Sequence, residues 1–192
     1  MKTISNISLF LDRDGVLNKR PGKGYVCNPK EFTWLPGSLE SLKWLSKVFS
    51  YIVIVSNQQG VGKGLMDEQD LISVNKKMLD QAKKSGGRID GVYSAMGLRA
   101  ESSFRRKPGP GMALEAKSDF PGIEFSRSLM VGDTFRDVLF GYRLGMKSVL
   151  IGQGGNNEVN PAYSYMVSAC FDTLADFTDF VLDAGAERFF KK

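Results

Sequence analysis

The chain has 192 residues, with 26 lysines and arginines against 21 aspartates and glutamates, 42% hydrophobic residues and no histidine. This composition is that of an ordinary soluble globular protein and excludes a disordered or fibrous chain. The absence of histidine excludes Ser-His-Asp and Cys-His catalysis and any histidine metal ligand. Acid–base chemistry therefore falls to Asp, Glu, Lys, Tyr or Cys, and the length predicts one domain over residues 1–192.

The two cysteines, Cys27 and Cys170, lie far apart in the chain. Two thiolates cannot complete a structural zinc site, which usually takes four Cys or His ligands. Residues 1–6 lack the charged and apolar regions of a signal peptide, and no apolar run approaches the ~20 residues of a membrane span. We therefore expect a reduced, cytoplasmic protein that binds no zinc and contacts no membrane.

Short apolar runs alternate with helical patterns, which predicts an α/β domain with a parallel sheet. The predicted strands are residues 7–11, 51–55, 91–95, 129–131 and 148–151, with 166–171 as a sixth candidate. The predicted helices are residues 38–50, 67–85, 110–117, 136–144 and 173–182, the last of them packing on the sheet edge. The irregular insertions at 18–36 and 97–106 are too short for a separate cap domain.

Two carboxylates, Asp12 and Asp14, directly follow the first apolar run. Side chains at i and i+2 of a strand point to the same side. The two carboxylates would therefore share one face at the carboxyl end of the strand, where open α/β sheets bind ligands. Such a pair suits a divalent cation, or an acid–base partner beside a nucleophile. A plain turn is the alternative, because Asp and Gly are common where strands end.

The second apolar run ends in Ser56 and Asn57. A hydroxyl group and free backbone N–H groups at a strand end can hold phosphate oxygens, and a plain loop is the alternative. The glycine-rich stretch around Lys63 lacks the Gly-Lys-Ser/Thr ending of a phosphate loop. We interpret it as a flexible loop with an available lysine.

Two further motifs carry charge at the start of predicted helices. Arg105, Arg106 and Lys107 precede a Pro/Gly turn, where a lysine could neutralise a phosphoryl group or merely belong to a basic surface loop. Asp133 follows the fourth apolar run, and Asp137 comes four residues later. Helix capping accounts well for Asp137 and less well for Asp133.

Taken together, the order Asp-x-Asp, Ser, Lys, Gly-Asp-x-x-x-Asp resembles the haloacid dehalogenase superfamily of aspartyl-nucleophile phosphatases, over about residues 7–152. Four stretches are similar to the subgroup of D-glycero-D-manno-heptose 1,7-bisphosphate phosphatases and histidinol-phosphate phosphatases. They are Asp-Arg-Asp-Gly-Val-Leu-Asn, Gly-Tyr-Val, Ser-Asn-Gln-Gln-Gly-Val-Gly-Lys-Gly and Arg-Lys-Pro-Gly-Pro-Gly-Met. The resemblance implies a Rossmann-like parallel sheet with helices on both faces and a minimal cap or none.

The resemblance also implies a two-step phosphoryl transfer. Asp12 would attack phosphorus, and Asp14 would protonate the leaving alkoxide and then deprotonate the attacking water. Mg²⁺ would be held by Asp12, Asp133 and the main-chain carbonyl of Asp14. Asp137 would support the metal site or cap its helix.

The same resemblance implies how the substrate is held. Ser56 and Lys107 would bind the phosphoryl oxygens, and we expect Asn57, Gln59 and Arg106 to recognise the rest of the substrate. The expected partner is a small phosphorylated metabolite, foremost D-glycero-D-manno-heptose 1,7-bisphosphate, and we expect a monomer.

Three other functions stay open at this point. Histidinol phosphate would keep the chemistry and change the leaving group. A polynucleotide 3′-phosphatase shares a similar Asn-Gln-x-Gly-x-Gly-x-Gly stretch, but the chain lacks a basic stripe interleaved with aromatic residues, so we expect no nucleic acid. A module that only binds ligand would not need both Asp12 and Asp14 beside Lys107.

Most members of the subgroup carry a zinc loop of Cys and His just before the Arg-Lys-Pro sequence. Residues 96–104, which take its place here, contain neither residue type. We expect this loop to be held by packing, with Leu98 or Phe104 turned inward. The surplus cations Lys63, Arg99 and Arg106 could meet a second phosphate.

Overall fold

The structure is a computed structural model that describes residues 6–22, 24–99, 104–152 and 161–191. Six strands form one parallel sheet in the order β3-β2-β1-β4-β5-β6. The strands are β1 (Ser8–Leu11), β2 (Tyr51–Asn57), β3 (Gly91–Ala95), β4 (Ser128–Gly132), β5 (Lys147–Ile151) and β6 (Ala169–Phe171). The predicted Rossmann-like α/β fold is confirmed.

The helices are α1 (Ser38–Leu45), α2 (Gln59–Gly62), α3 (Glu68–Lys84), α4 (Gly111–Asp119), α5 (Phe135–Arg143) and α6 (Leu174–Ala184). Within the described residues, 3₁₀ helices also span Phe125–Arg127, Pro161–Met166 and Ala186–Phe190. No helix within the described ranges is long and apolar enough to cross a membrane.

Some helix and strand boundaries predicted from hydrophobic periodicity differ from those in the structure. The α1 helix ends five residues before the predicted end at residue 50, because the following residues form turns while Phe49 still reaches the core. Met166, predicted as the start of the sixth strand, closes a 3₁₀ helix instead. The α2 helix and the 3₁₀ helices were not predicted, since three to six residues are too few to show a helical period.

Helices cover both faces of the sheet. Because side chains alternate along a strand, Leu9 and Leu11 pack with apolar residues of α1, α3 and α6, while Phe10 packs on the other face with residues of α4 and α5. The α6 helix meets the edge strand β6, as predicted, through the ring contact between Phe171 and Phe177 at 5.7 Å. It also packs against α1, so it covers part of one face as well as the edge.

The strand order places the β1 strand between β2 and β4. The connection that leaves β1 leads to one side of it, whereas β4 lies on the other side, and ligands bind at such a reversal of strand order. Asp12 follows β1 and donates its backbone N–H to the Val131 carbonyl of β4 at 2.9 Å. Asp133 directly follows β4 and Ser56 lies near the end of β2. All three side chains thus come to one edge of the sheet.

Gly132, the last residue of β4, permits the close approach of α5 to this edge. A Cβ atom at Gly132 would lie 2.1 Å from the Asp137 Cβ, nearer than two such atoms can come. Only a residue without a side chain therefore allows Asp137 to lie against the end of β4.

We expect Gly132→Ala to lower the free energy of unfolding by about 1–3 kcal/mol, the usual cost of overpacking a filled site. Urea denaturation followed by circular dichroism measures this. Gly22→Ala is the matched control, because a Cβ there would have no neighbour within 4 Å, and it should unfold like the wild type. Equal stability of both variants would contradict the packing argument.

Candidate functional site

Three carboxylates form a cluster at the carboxyl edge of the sheet. One oxygen atom from each of Asp12, Asp133 and Asp137 lies within 4.8 Å of the other two. Asp12 and Asp137 are buried and Asp133 is half-buried. Among the residues that the structure describes, this is the one group of at least three Asp, Glu or Cys side chains that could hold a metal ion.

Lys107 places a buried positive charge against this cluster. Its Nζ lies 2.9 Å from Asp12 Oδ1 and 2.5 Å from Asp137 Oδ1, and its side chain is 2% exposed. Asn57 fixes the lysine from behind, because its Oδ1 accepts from the Lys107 N–H at 3.0 Å and its Nδ2 donates to the Lys107 carbonyl at 3.2 Å. The ammonium group is therefore held at a set position beside Asp12.

Crowding of like charges in a buried place shifts the proton affinities of the cluster. Burial raises the pKa of Asp12 to about 6 despite the attraction of Lys107, and burial together with the charge of Asp12 raises the pKa of Asp133 to about 7. Burial alone would lower the pKa of Lys107, but Asp12 and Asp137 raise it above its ordinary value. The lysine thus stays charged, and any added positive charge would stabilise the ionised form of the acids.

Asp14 directs its carboxylate to a different set of partners. It accepts hydrogen bonds from Arg13 Nη2 at 3.1 Å, from Asn18 Nδ2 at 2.8 Å and from Gln58 Nε2 at 2.6 Å. Arg13 is fully buried, and Gln58 also donates to Ser56 Oγ at 2.7 Å. The Asp14 carboxylate is consequently oriented by three donors.

A cavity of about 220 Å³ opens over these groups. Its lining includes Asp12, Asp14, Arg20, Tyr25, Ser56, Asn57, Arg106, Lys107, Arg136 and Asp137. Polar and charged side chains dominate this lining, which suits a small hydrophilic ligand that bears negative charge.

A second cavity adjoins the first and is strongly basic. Among the residues that the structure describes, its lining contains four arginines, Arg99, Arg106, Arg136 and Arg143, and no carboxylate. Arg106 and Arg136 line both cavities. Burial and the charges of Arg136 and Arg99 lower the pKa of Arg106, so the arginines repel one another and would gain from a bound anion.

The structure brings most of the predicted site residues together. Asp12, Asp14, Ser56, Asn57, Arg106 and Lys107 line the first cavity, and Asp133 lies in the acid cluster. Gln59 does not line the cavity; its Oε1 accepts from the Tyr25 hydroxyl at 3.5 Å. Lys63, which was expected near a second phosphate, lies over the Tyr25 ring at 5.4 Å and lines neither cavity.

Asp137 caps its helix, which is one of the two alternatives that the sequence left open, and it also contacts Lys107. Its Oδ2 accepts from the Thr134 N–H at 3.0 Å, which caps α5, and its Oδ1 meets Lys107. Because both oxygens already have donors, Asp137 serves the cluster by positioning α5 and Lys107.

Sequence reasoning missed five residues of the site: Arg13, Asn18, Arg20, Gln58 and Arg136. Three of them hold Asp14, Arg20 contacts the acid cluster, and Arg136 joins the two cavities. Arg13, Asn18 and Gln58 stand inside the stretches that carry the family resemblance, and Arg136 directly precedes Asp137, whereas Arg20 lies outside these motifs and has no such signal.

In the loop at 96–104, we expected Leu98 or Phe104 to turn inward. Phe104 is 65% exposed and Leu98 is half-buried, so Leu98 is the more buried of the two. A Cβ atom at Gly111 would lie 3.0 Å from Phe104 Cδ1, so the Phe104 ring lies against this glycine while most of the ring faces solvent. Residues 100–103 lie outside the described part of the chain.

Comparison with known proteins places this site in a family. Residues 104–177 match a family model described as HAD-hydrolase-like. The chain is 36% identical over 181 residues, 94% of each protein, to the D-glycero-alpha-D-manno-heptose-1,7-bisphosphate 7-phosphatase of Mycobacterium tuberculosis. It is 34% identical over 139 residues, 67% of this chain and 74% of the relative, to the corresponding beta-anomer 7-phosphatase of Rhodopseudomonas palustris.

A solved structure supports the same assignment. The D,D-heptose 1,7-bisphosphate phosphatase of B. bronchiseptica, complexed with magnesium and phosphate, superposes with a TM-score of 0.82 at 27% identity, over 92% of this chain and 98% of that one. The chain therefore belongs to the haloacid dehalogenase superfamily, in the heptose-bisphosphate phosphatase family, and it is a phosphatase.

Proposed function

We propose that the protein is a Mg²⁺-dependent phosphatase that hydrolyses D-glycero-D-manno-heptose 1,7-bisphosphate through an aspartyl-phosphate intermediate. The observation that carries this proposal is the position of Lys107 against Asp12, next to an arginine-lined cavity. A buried cation beside a carboxylate suits the transferred phosphoryl group, and a second cationic region suits a substrate with a second phosphate. The names of the relatives point to the same substrate.

The first step is attack by an Asp12 carboxylate oxygen on phosphorus. A bond forms between that oxygen and phosphorus, and the bond from phosphorus to the sugar oxygen breaks. Lys107 and Ser56 hold the phosphoryl oxygens, so the increase of charge in the transition state meets donors that are already in place. Asp14 gives its proton to the leaving alkoxide.

The second step removes the phosphoryl group from Asp12. Asp14, now a carboxylate, takes a proton from a water molecule, whose oxygen attacks phosphorus and displaces Asp12. Arg13, Asn18 and Gln58 orient Asp14 for both proton transfers. One carboxyl group thus acts as acid and then as base, which splits a difficult displacement into two easier ones.

The acid cluster fits a magnesium ion. Asp12, Asp133 and the main-chain carbonyl of Asp14 would hold it, because oxygen ligands in small number are what Mg²⁺ takes in proteins. A Cβ at Gly15 would lie 2.0 Å from Asp133 Oδ2, so this glycine makes room for the carboxylate. The bound ion supplies positive charge that offsets the repulsion between a carboxylate and a phosphate.

The arginine-lined cavity favours a bisphosphate over histidinol phosphate. Histidinol carries a positively charged amine, which the four arginines of this lining would repel. A second phosphate would instead find bidentate donors there. We therefore expect Arg106 and Arg136, which line both cavities, to contact the part of the substrate that joins the two phosphates.

Comparison of kcat/KM for four substrates tests the proposal. We expect kcat/KM to be highest for heptose 1,7-bisphosphate and lower for heptose 7-phosphate, histidinol phosphate and a 3′-phosphorylated oligonucleotide. The difference from heptose 7-phosphate should be about tenfold, since a charge-assisted contact contributes roughly 1.5 kcal/mol. Arg136→Gln should remove most of the preference for the bisphosphate over the monophosphate. Lys84→Gln, an equal change of charge at the exposed end of α3, should keep it. A higher kcat/KM for the oligonucleotide would overturn the substrate class.

Asp12→Asn should abolish phosphate release while the circular dichroism spectrum stays native, because an amide is a poor nucleophile. Asp14→Asn should slow turnover severely and accumulate phosphoenzyme, since it lacks the base that activates water. Quenched-flow trapping with radiolabelled substrate measures both effects. Turnover near the wild-type level in Asp12→Asn would show that the nucleophile is another residue.

The raised pKa values in the cluster predict how stability depends on pH. The pKa of Asp133 rises from 3.8 to about 7 on folding, so the folded state binds the proton more tightly. This contribution to stability is complete below pH 3.8 and is lost as pH rises through about 7. In chelator, Asp133→Asn should therefore be the more stable protein at pH 8, by roughly 1–2 kcal/mol, and lose that advantage by pH 5.

Urea denaturation at the two pH values, with EDTA and with Mg²⁺, measures this difference. Added Mg²⁺ should stabilise the wild type at pH 8 and have little effect at pH 5, because metal binding requires deprotonated carboxylates. Asp183→Asn, at an exposed position of α6, is the control. A wild-type advantage in chelator at pH 8 would contradict the argument.

A further inference from the structure

Arg20, in the loop after β1, reaches into the acid cluster. Its Nη2 donates to Asp133 Oδ1 at 2.7 Å and to the main-chain carbonyl of Asp14 at 3.1 Å, and it lies 3.9 Å from Asp12 Oδ2. These are the same three groups that the proposed function assigns to the magnesium ion. The positive charge of the arginine thus lies among the oxygens that the ion would use.

We propose that Arg20 competes with the divalent cation for these oxygens, so that the two occupy the site in turn and metal binding moves Arg20 away. The proposal rests on the magnesium site of the proposed function. An ion bound by all three oxygens, at about 2.1 Å from each, would lie close to the place that the Arg20 Nη2 atom takes between them. The divalent cation and the Arg20 guanidinium group are both positively charged and would also repel each other at such close range.

The surroundings of Arg20 allow such a movement. Its side chain is 44% exposed, and its neighbours Pro21 and Gly22 line the open cavity. Lys107 behaves differently, because it is 2% exposed and its backbone is held by Asn57 on both sides. Of these two cations, Lys107 is therefore fixed and Arg20 is the one that can leave.

The cost of displacing Arg20 weakens the apparent affinity for metal. The apparent dissociation constant equals the intrinsic one divided by the fraction of protein in which the site is accessible. If Arg20 holds the oxygens about nine-tenths of the time, metal binds roughly tenfold more weakly than to a protein without it. Exposure to solvent and salt reduces this factor.

Binding of Mn²⁺, followed by electron paramagnetic resonance and calorimetry, tests the competition. We expect Arg20→Gln to bind Mn²⁺ about threefold to tenfold more tightly than the wild type at low ionic strength. Arg136→Gln removes the same charge from the same cavity but from a residue outside these three contacts, and it should stay within about twofold of the wild type. Unchanged or weaker binding by Arg20→Gln would overturn the proposal, as would an equal gain in Arg136→Gln.

Thermal unfolding provides a second measurement that a fixed structural arginine would not reproduce. In EDTA, Arg20→Gln should unfold at a lower temperature than the wild type, because Asp133 loses its partner; in saturating Mn²⁺ this difference should vanish or reverse. A deficit that persists in Mn²⁺ would show that Arg20 stays in place and would overturn the competition. If Arg20→Gln does not fold, Arg20→Lys takes its place, and its failure to change the affinity for Mn²⁺ counts against the proposal.

These measurements separate the competition from the proposed function. Stoichiometric Mn²⁺ binding by the wild type with no effect of Arg20→Gln leaves the metal site standing and removes the role of Arg20. Absence of Mn²⁺ binding in every variant removes the metal site and the competition with it.

Discussion

The ion triad of Asp12, Lys107 and Asp137 is the constraint on which the rest of the site depends. Taking three charges out of water costs several kcal/mol per ion, and only close mutual contact offsets that cost. The contacts at 2.9 and 2.5 Å supply it, but they require the ends of β1, α4 and α5 to meet at one point. Gly132 and the Asn57–Lys107 backbone bonds secure that meeting. The triad therefore ties the geometry of the sheet edge to the position of the nucleophile.

The parts of the fold that follow from short-range rules could be predicted from the sequence. The apolar runs around Phe10, Val53 and Met130 are continuous because both faces of a parallel sheet are buried. Asp12 and Asp14 line the same cavity, as their two-residue spacing predicted, although both lie beyond the end of β1. The expected convergence of Asp12, Ser56 and Asp133 needed only one further rule, that parallel strands end at the same edge, whereas the place of Lys107 was implied by the family resemblance. The structure places these side chains there.

The parts that could not be predicted depend on which side chain reaches which partner. Gln58 and Gln59 are the same residue type at adjacent positions, yet Gln58 joins Ser56 to Asp14 while Gln59 accepts from Tyr25. The short α2 helix determines which of the two side chains faces the site, and it has too few residues to show a periodic pattern in the sequence. Arg20 likewise reaches Asp133 across 113 positions of sequence, a distance over which local rules carry no information.

The cations of the site differ in burial and in their partners, and each suits a different part of the proposed reaction. Lys107 is buried and its backbone is hydrogen-bonded to Asn57, which suits a side chain that must bind each transferred phosphoryl group in the same position. Arg106 and Arg136 are shared between the two cavities, which suits groups that meet the substrate as it enters. Arg20 is 44% exposed, and its contacts are made to oxygens that an incoming ion would bind. Burial thus determines which positive charges stay fixed and which can be exchanged for a bound ion. The chain places and neutralises charge at this site without histidine.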